Sequence, residues 1–551
     1  MSLLEQYEQR LSETASAPCT LLNQVEATLR PSGLNMAAYQ DYTAHNRPHQ
    51  IQALDSLNQN NKGQIIIPTG TGKTRIQVSY LVGDMIAKSN ANTTGVYVIA
   101  SHRLLLNKQL MDEYQDLCIK TGLPVNVLYV GSARQDDKAV YEKYFLEGIN
   151  SETFKSKYTT FSPEIKAFYD ETLAANRHLI IVSTYHSFHK LSVIDTINVC
   201  CYDEAHNTTN EEFKANIEEV LPKIAKNFFF TATRKVCIIS GHGMENQEIY
   251  GDVLCEISPR VMINQREIVT PRIIAMMLDT DTPKGIVSDK NQHMLVKTIC
   301  EGFLKNQELV RQHSSNPTAI GTKLLVSFVG SDELSLVQES EEFKSWCEAN
   351  HVRVFSVSSK YGSYMDFETE ARNRVYGELK SLRDEEDCIL LHIDILAEGI
   401  DLPSITGVLP LRHLNEIKLF QTFGRALRLM KTDRRGLYEA NATTFIKPYA
   451  YLILPMHFTG MDTSSEDMRV TIQSIISTYG IPVEEFLPPE GFKTRDIKAL
   501  DPVTDHKHIV KTKKDYPLLS VVEEFVLDNF VTGMPEDLQA RYDRLLTILD
   551  E

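Results

Sequence analysis

Long apolar runs are missing from this chain of 551 residues: no segment approaches the length of about 20 residues that crosses a bilayer. The start, Met1-Ser2-Leu3-Leu4-Glu5-Gln6, places an acid early and has no apolar core segment, so no secretory leader is expected there. Cysteine is sparse and scattered: nine residues, no two in CxxC spacing. That excludes a zinc knuckle, an iron–sulfur cluster and a disulfide framework, and it fits a reducing cytoplasm, or a host cell's if the source is viral. Cys200-Cys201, inside an apolar run, read as packing residues. Positive charge is also short, with 57 Lys and Arg against 73 Asp and Glu and a net charge of −16. A generally basic exterior for binding nucleic acid is therefore excluded, whereas a locally basic track is not. The length is too great for one core, so three or four domains are expected.

Against these absences stands Pro68-Thr69-Gly70-Thr71-Gly72-Lys73-Thr74, directly after Ile65-Ile66-Ile67. A strand entering a glycine loop that ends Gly-Lys-Thr can hold a triphosphate. Backbone N–H groups of the loop and of the following helix face the phosphates, Lys73 reaches the β and γ oxygens, and the Thr74 hydroxyl coordinates Mg²⁺. The common form has glycine where this chain has Ile67. Alone, the match is equally an ordinary strand–turn–helix.

Phosphoryl transfer also needs a metal-side carboxylate and a group that orients water. Tyr202-Asp203-Glu204-Ala205-His206, after Val199-Cys200-Cys201, offers both: Asp203 for Mg²⁺ and Glu204 as general base. Paired acids at a strand end are as commonly a solvated turn. A further run, Phe228-Phe229-Phe230, leads into Thr231-Ala232-Thr233, whose hydroxyls sit where a link to a moving partner is expected. In the second half, Gln421-Thr422-Phe423-Gly424-Arg425-Ala426-Leu427-Arg428 spaces two arginines so that a helix presents both on one face, suited to a γ-phosphate gathering charge. The plain alternative is a surface helix with two solvated arginines.

Together and in this order, these segments resemble a superfamily 2 helicase of the DEAH-box type, similar to phage and restriction-type DNA helicases, over roughly residues 45 to 430. The resemblance implies ATP and Mg²⁺ between two RecA-like motor domains. Gln50, in Arg47-Pro48-His49-Gln50, would read the base, and Thr69 to Thr74 would cradle the phosphates. Gly399 and Asp401, in Leu396 to Pro403, would join Gln421, Arg425 and Arg428 on the second side. Contacts to the nucleic-acid backbone would come from Ser101, His102 and Arg103, from Ser183 and Thr184, and from Ser327 in the second domain's opening strand. His206, Thr231 and Thr233 would pass the nucleotide state onward. The implied activity is ATP-dependent movement along DNA. Arg234 stands where many DNA-directed relatives have proline, which keeps an RNA helicase open; so does a nucleotide-gated translocase that closes on duplex without unwinding it, as a subunit of a larger assembly.

The expected fold is α/β, with two tandem parallel-sheet domains and helical additions. Residues 1–44 read as helices, with Leu3, Leu4, Tyr7 and Leu11 on one face. The first motor domain is expected over 45–260, with a helical insertion about 132–176, and the second over 271–450, with the hinge between Glu256 and Arg272. Residues 455–551 read as a mainly helical accessory region, a possible dock for a protein partner. Its basic stretch His506 to Lys514 reads as a solvated linker rather than a nucleic-acid contact. The Glu-x-Lys triplets at Glu164, Glu212, Glu342 and Glu416 follow no Pro-Asp strand turn, and no nuclease is read from them.

Overall fold

The computed structural model describes residues 33–102, 104–131, 154–235, 243–278, 289–328, 330–358, 362–370, 372–393, 404–411, 422–440 and 442–457. The expected helices before residue 33, the first part of the expected insertion and the accessory region after His457 lie outside these residues. The chain divides into two compact units between Ile257 and Ser258.

In the first unit, strands β1 (Lys62–Ile66), β2 (Val96–Ser101), β3 (Val125–Val130), β4 (Phe154–Tyr158), β5 (His178–Thr184), β6 (Ile197–Asp203), β7 (Ile224–Thr231) and β8 (Val253–Glu256) form one sheet. Their order is β4-β3-β5-β2-β6-β7-β1-β8, and every pairing is parallel. Parallel strands are covered on both faces, so they read as unbroken apolar runs. Val96 to Ala100, Leu179 to Val182 and Phe228 to Phe230 are accordingly all buried. One face packs on the helices Ser162–Ala174 and Glu211–Val220 through Ile165, Phe168, Ile217 and Val220. The Tyr202 and Phe229 rings stack there at 4.3 Å, and the Tyr250 ring meets Phe229 edge-on at 4.9 Å.

The expected helical insertion is corrected where it is described. Phe154 to Tyr158 form β4, an edge strand beside β3, and the helix Ser162–Ala174 carries the chain back to β5. A parallel neighbour requires such a crossover. It is pinned at Asn126, whose amide donates to Thr172 Oγ1 at 3.0 Å and whose Oδ1 accepts from Arg177 Nε at 2.8 Å.

The second unit repeats the plan with β9 (Thr270–Leu278), β10 (Lys323–Ser327), β11 (Arg353–Ser358), β12 (Gly362–Met365), β13 (Glu368–Glu370), β14 (Cys388–His392), β15 (Gly407–Pro410) and β16 (Tyr449–His457). The order is β13-β12-β11-β14-β10-β15-β16-β9; β12 and β13 are antiparallel additions to an otherwise parallel sheet. The helices Asp289–His313 and Glu341–Ala349 close its core, with Phe303 edge-on to Trp346 at 5.7 Å. Strand β16 runs across position 450, where the second domain was expected to end. Among the described residues, no helix is long and apolar enough to cross a membrane.

Candidate functional site

Three motifs stand side by side because their strands do. Strands β6, β7 and β1 are neighbours, and their register pairs Asp203 with Phe230 and Ile66 with Thr231. Parallel neighbours lie about 4.8 Å apart. The glycine loop, the acid pair and the Thr-Ala-Thr segment therefore share one edge of the sheet, where open parallel sheets bind ligands.

The loop after β1 leads into the helix Lys73–Asn90. Gly70 and Gly72 take φ of +84° and +92°, a backbone that side chains rarely adopt. A Cβ at Gly72 would also collide with the Gln50 amide. Ile67, standing where glycine is common, is fully buried; its N–H donates to the Thr231 carbonyl at 3.0 Å, which ties the residue after β1 to the end of β7. Lys73 is 8% exposed and donates from Nζ to the Ile67 carbonyl at 3.1 Å. That uses one of its three N–H groups and leaves donors for an anion. Gln50 is buried: its Oε1 accepts from the Arg47 N–H at 2.8 Å, and its Nε2 donates to the Gly72 carbonyl at 3.5 Å.

Asp203 ends β6, and Gln77 Nε2 donates to its Oδ1 at 3.2 Å. Burial, with the Glu204 carboxylate next, pushes the Asp203 carboxyl up to about 6, and the Lys73 ammonium opposes them. The Asp203 carboxylate and the Thr74 hydroxyl are hard oxygen donors of the kind a divalent cation takes, so the two residues fit Mg²⁺ by chemistry. Glu204 follows in a left-handed backbone, φ 49° and ψ 50°. Its carbonyl accepts from the Asn207 backbone and side-chain N–H groups, both at 3.1 Å, and Tyr185 Oη donates to the Asp203 carbonyl at 2.5 Å.

His206 is buried, which pushes its imidazole down to about 4 against the pull of the Glu204 carboxylate. The ring is neutral at pH 7. Its Nδ1 lies 3.0 Å from Thr231 Oγ1 and 3.6 Å from Glu204 Oε2. The Thr231 hydroxyl donates to the Thr233 carbonyl at 2.9 Å, so its only proton is used. The network therefore assigns the ring proton to Nδ1, which donates to Thr231. Thr233 returns its backbone N–H to the same oxygen at 3.2 Å.

The residues expected on the nucleic-acid side lie at the ends of β2 and β5, on the same edge. Ser101 and Ser183 are fully buried and Thr184 is 6% exposed. Any contact through the two serines in this conformation runs through their backbone. His102 Nδ1 is 3.5 Å from Asn207 Nδ2. In the second unit Ser327 is likewise buried, its hydroxyl 2.7 Å from His392 Nε2. Arg103, Gly399, Asp401 and Gln421 lie outside the described residues.

The paired-arginine helix is corrected. Among the described residues of this segment helical backbone covers 422–426, and Arg428 leaves it to form a bridge with Ile268, while the Val269 N–H donates to the Leu427 carbonyl at 2.9 Å. Pairing with the segment before β9 ends the helix, so Arg425 and Arg428 do not share a helical face. Arg425 is 6% exposed.

Three supporting residues escaped the sequence reading. Gln77 lies one helical turn after Lys73, a spacing that could have found it. Tyr185 follows an expected contact residue, and Asn207 directly follows His206; neither carries a signal of its own.

Residues 43–236 match the family model described as Type III restriction enzyme, res subunit. No curated protein matches the sequence. Among solved structures, the ATP-dependent Type ISP restriction-modification enzyme LlaBIII bound to DNA is similar at a TM-score of 0.52 and 16% identity, over 88% of this chain and 29% of that one. A nuclease-deletion mutant of the Type ISP enzyme LlaGI, in complex with a DNA substrate mimic, is similar at 0.52 and 15%, over 82% and 31%. Mss116p bound to ssRNA and AMP-PNP is similar at 0.50 and 11%, over 91% and 90%. The chain thus spans less than a third of the Type ISP chains, and at these identities the likeness is one of fold. Residues 43–236 of the first unit thus match that restriction-subunit family, and the two units share the tandem motor fold of these structures.

Proposed function

We propose that this chain is a superfamily 2 helicase of the DEAH-box type and moves along DNA by hydrolysing ATP with Mg²⁺. The observation that carries the reading is the adjacency of the glycine loop, the acid pair and the Thr-Ala-Thr segment on β1, β6 and β7. Lys73 binds the β and γ oxygens, the loop N–H groups from Thr69 to Thr74 cradle the phosphates, and Gln50 orients the base. Thr74 and Asp203 would hold Mg²⁺, which when bound neutralises phosphate charge. Glu204 takes the proton of the attacking water at its carboxylate. Arg425 and Arg428, with Gln421, meet the charge that gathers on the transferring group, and Gly399 and Asp401 support them. His206 carries the state of Glu204 to Thr231 and Thr233 through its Nδ1 proton. The strand ends at Ser101, His102 and Arg103, at Ser183 and Thr184, and at Ser327 grip phosphate and sugar, which makes the grip independent of sequence.

DNA is proposed over RNA because the Type ISP enzymes of similar fold are described with DNA. Mss116p is described with ssRNA, and Arg234 replaces the proline of many DNA-directed relatives, so an RNA motor is the second reading. The accessory region after residue 455 is the proposed dock for a partner protein.

Steady-state ATPase rates without nucleic acid and with single-stranded, duplex or forked DNA or RNA, wild type beside Lys73→Ala, test the proposal. Stimulation by DNA that Lys73→Ala abolishes supports it. Stimulation by RNA alone replaces DNA with RNA, and a rate flat across all of them removes the motor.

A further inference from the structure

Lys447, two residues before β16, is 1% exposed. An ammonium so placed has lost its hydration and persists only with strong partners. Its Nζ donates to the Arg428 carbonyl at 2.7 Å. The peptide that carries it is clamped as well: the Ile446 and Lys447 N–H groups donate to Asp433 Oδ1 and Oδ2 at 2.7 and 2.9 Å. Asp433, 4% exposed, lies on the helix Lys431–Ala440 that follows Arg428. An apolar side chain would fill this space at lower cost, yet the chain keeps a buried cation and directs it at one carbonyl.

We propose that Lys447 is a positioning residue for ATP hydrolysis: its ammonium fixes the Arg428 carbonyl and with it the direction in which the Arg428 guanidinium leaves the backbone. The proposal rests on the reading of Arg428 as a group that meets phosphoryl charge. The Ile268 bridge holds the same residue from the other side, so Arg428 is set between two neighbours rather than left on a free helix end.

The charge state of the clamp follows from its surroundings. Burial lowers the Lys447 ammonium most, to about 7; Asp433 and Asp384 favour the charged form, and Lys323 and Arg428 oppose it. Lys323, itself buried, is tied to the Asp384 carbonyl at 2.8 Å. The clamp is charged below that pH and neutral above it, and a neutral amine is a weaker donor.

The test is DNA-stimulated kcat and KM for ATP between pH 6 and 9, in wild type, Lys447→Met, Lys447→Gln, Lys447→Arg, Arg428→Gln and the double variant Lys447→Met/Arg428→Gln. Wild-type kcat is expected to fall as pH rises through about 7 while KM stays level. Lys447→Met should lower kcat at pH 6 by at least about tenfold and abolish that limb, and in the Arg428→Gln background it should lower kcat no further. Lys447→Arg should keep kcat and lose the alkaline limb. Should Lys447→Met not fold, Lys447→Gln, which keeps a donor without the charge, decides by the same readings. Wild-type kcat and limb in the folded Met or Gln variant overturn the proposal, as does a lower thermal midpoint with kcat unmoved, or an additive loss in the double variant. A wild-type rate in Arg428→Gln, or no hydrolysis by wild type, overturns instead the reading on which the proposal stands.

Discussion

Glu204 holds a left-handed backbone, φ 49°, between a carboxylate and a run of small helical turns. A residue with a Cβ pays of order 1 kcal/mol for that conformation. Tyr185 and Asn207 secure the carbonyls on either side, so the strain is held in place rather than relaxed. Glu204→Gln keeps this geometry and removes the proposed base. Nucleotide affinity, read by fluorescent ATP titration, should stay within about twofold while turnover falls about 10²–10⁴-fold. Gly72→Ala meets both a positive φ and the Gln50 amide; calorimetry should show it destabilised by about 1–3 kcal/mol, with weakened ATP binding. The two titrating groups act in opposite directions. The Asp203 carboxyl is raised from 3.8 to about 6, so the stability it contributes is whole below 3.8 and is lost as pH rises through about 6. His206 is lowered from 6.5 to about 4, so its contribution is whole above 6.5 and is lost as pH falls through about 4. Asp203→Asn should therefore raise the melting temperature at pH 8 and leave it unchanged at pH 3.5, while abolishing turnover. The proposed site residues stood out in the sequence because phosphate, metal and water each demand a particular side chain. Lys447 was not, since a lysine in sequence reads as surface and only the fold buries it.

At the scale of elements, the site depends on β7 keeping its place between β6 and β1. Phe229, fully buried and stacked on Tyr202, anchors that strand two residues before Thr231. Phe229→Ala should cost about 3–5 kcal/mol in urea unfolding and lower turnover along with it, since the cavity opens beneath the strand that carries the threonine. Volume-conserving Phe229→Leu should retain most of both. The central strands were readable because parallel strands are apolar on both faces. Strand β4 was not: Phe154-Lys155-Ser156-Lys157-Tyr158 is short, lysine-bearing and at a sheet edge, where charge guards against stray pairing and hides the strand. Strand β16 follows Pro448 and contains Pro455, and it too went unread. The arginine segment misled for a different reason. Its spacing is helical, but a partner distant in sequence, Ile268, ends the helix, and no local pattern announces that.

For the whole molecule, the net charge of −16 sets how the proposed nucleic-acid track would be met. Attraction would have to come from a few local cations against a repulsive background, so binding would rely on counterion release and little else at long range. Raising salt from about 50 to 200 mM should sharply increase the single-stranded DNA concentration needed for half-maximal ATPase stimulation, with a log–log slope near 0.7 per phosphate contacted. The KM for ATP, governed by short contacts within a shielded loop, should move far less. A weak salt response would show that the grip is not on phosphate. The adjacency of β6, β7 and β1 reaches beyond any single catalytic cycle. The distance between the motif-bearing strands is set by peptide hydrogen bonds, which every residue but proline supplies alike. Two chains can therefore differ in most of their side chains, as this one does from a Type ISP enzyme at 16% identity, and still share a fold.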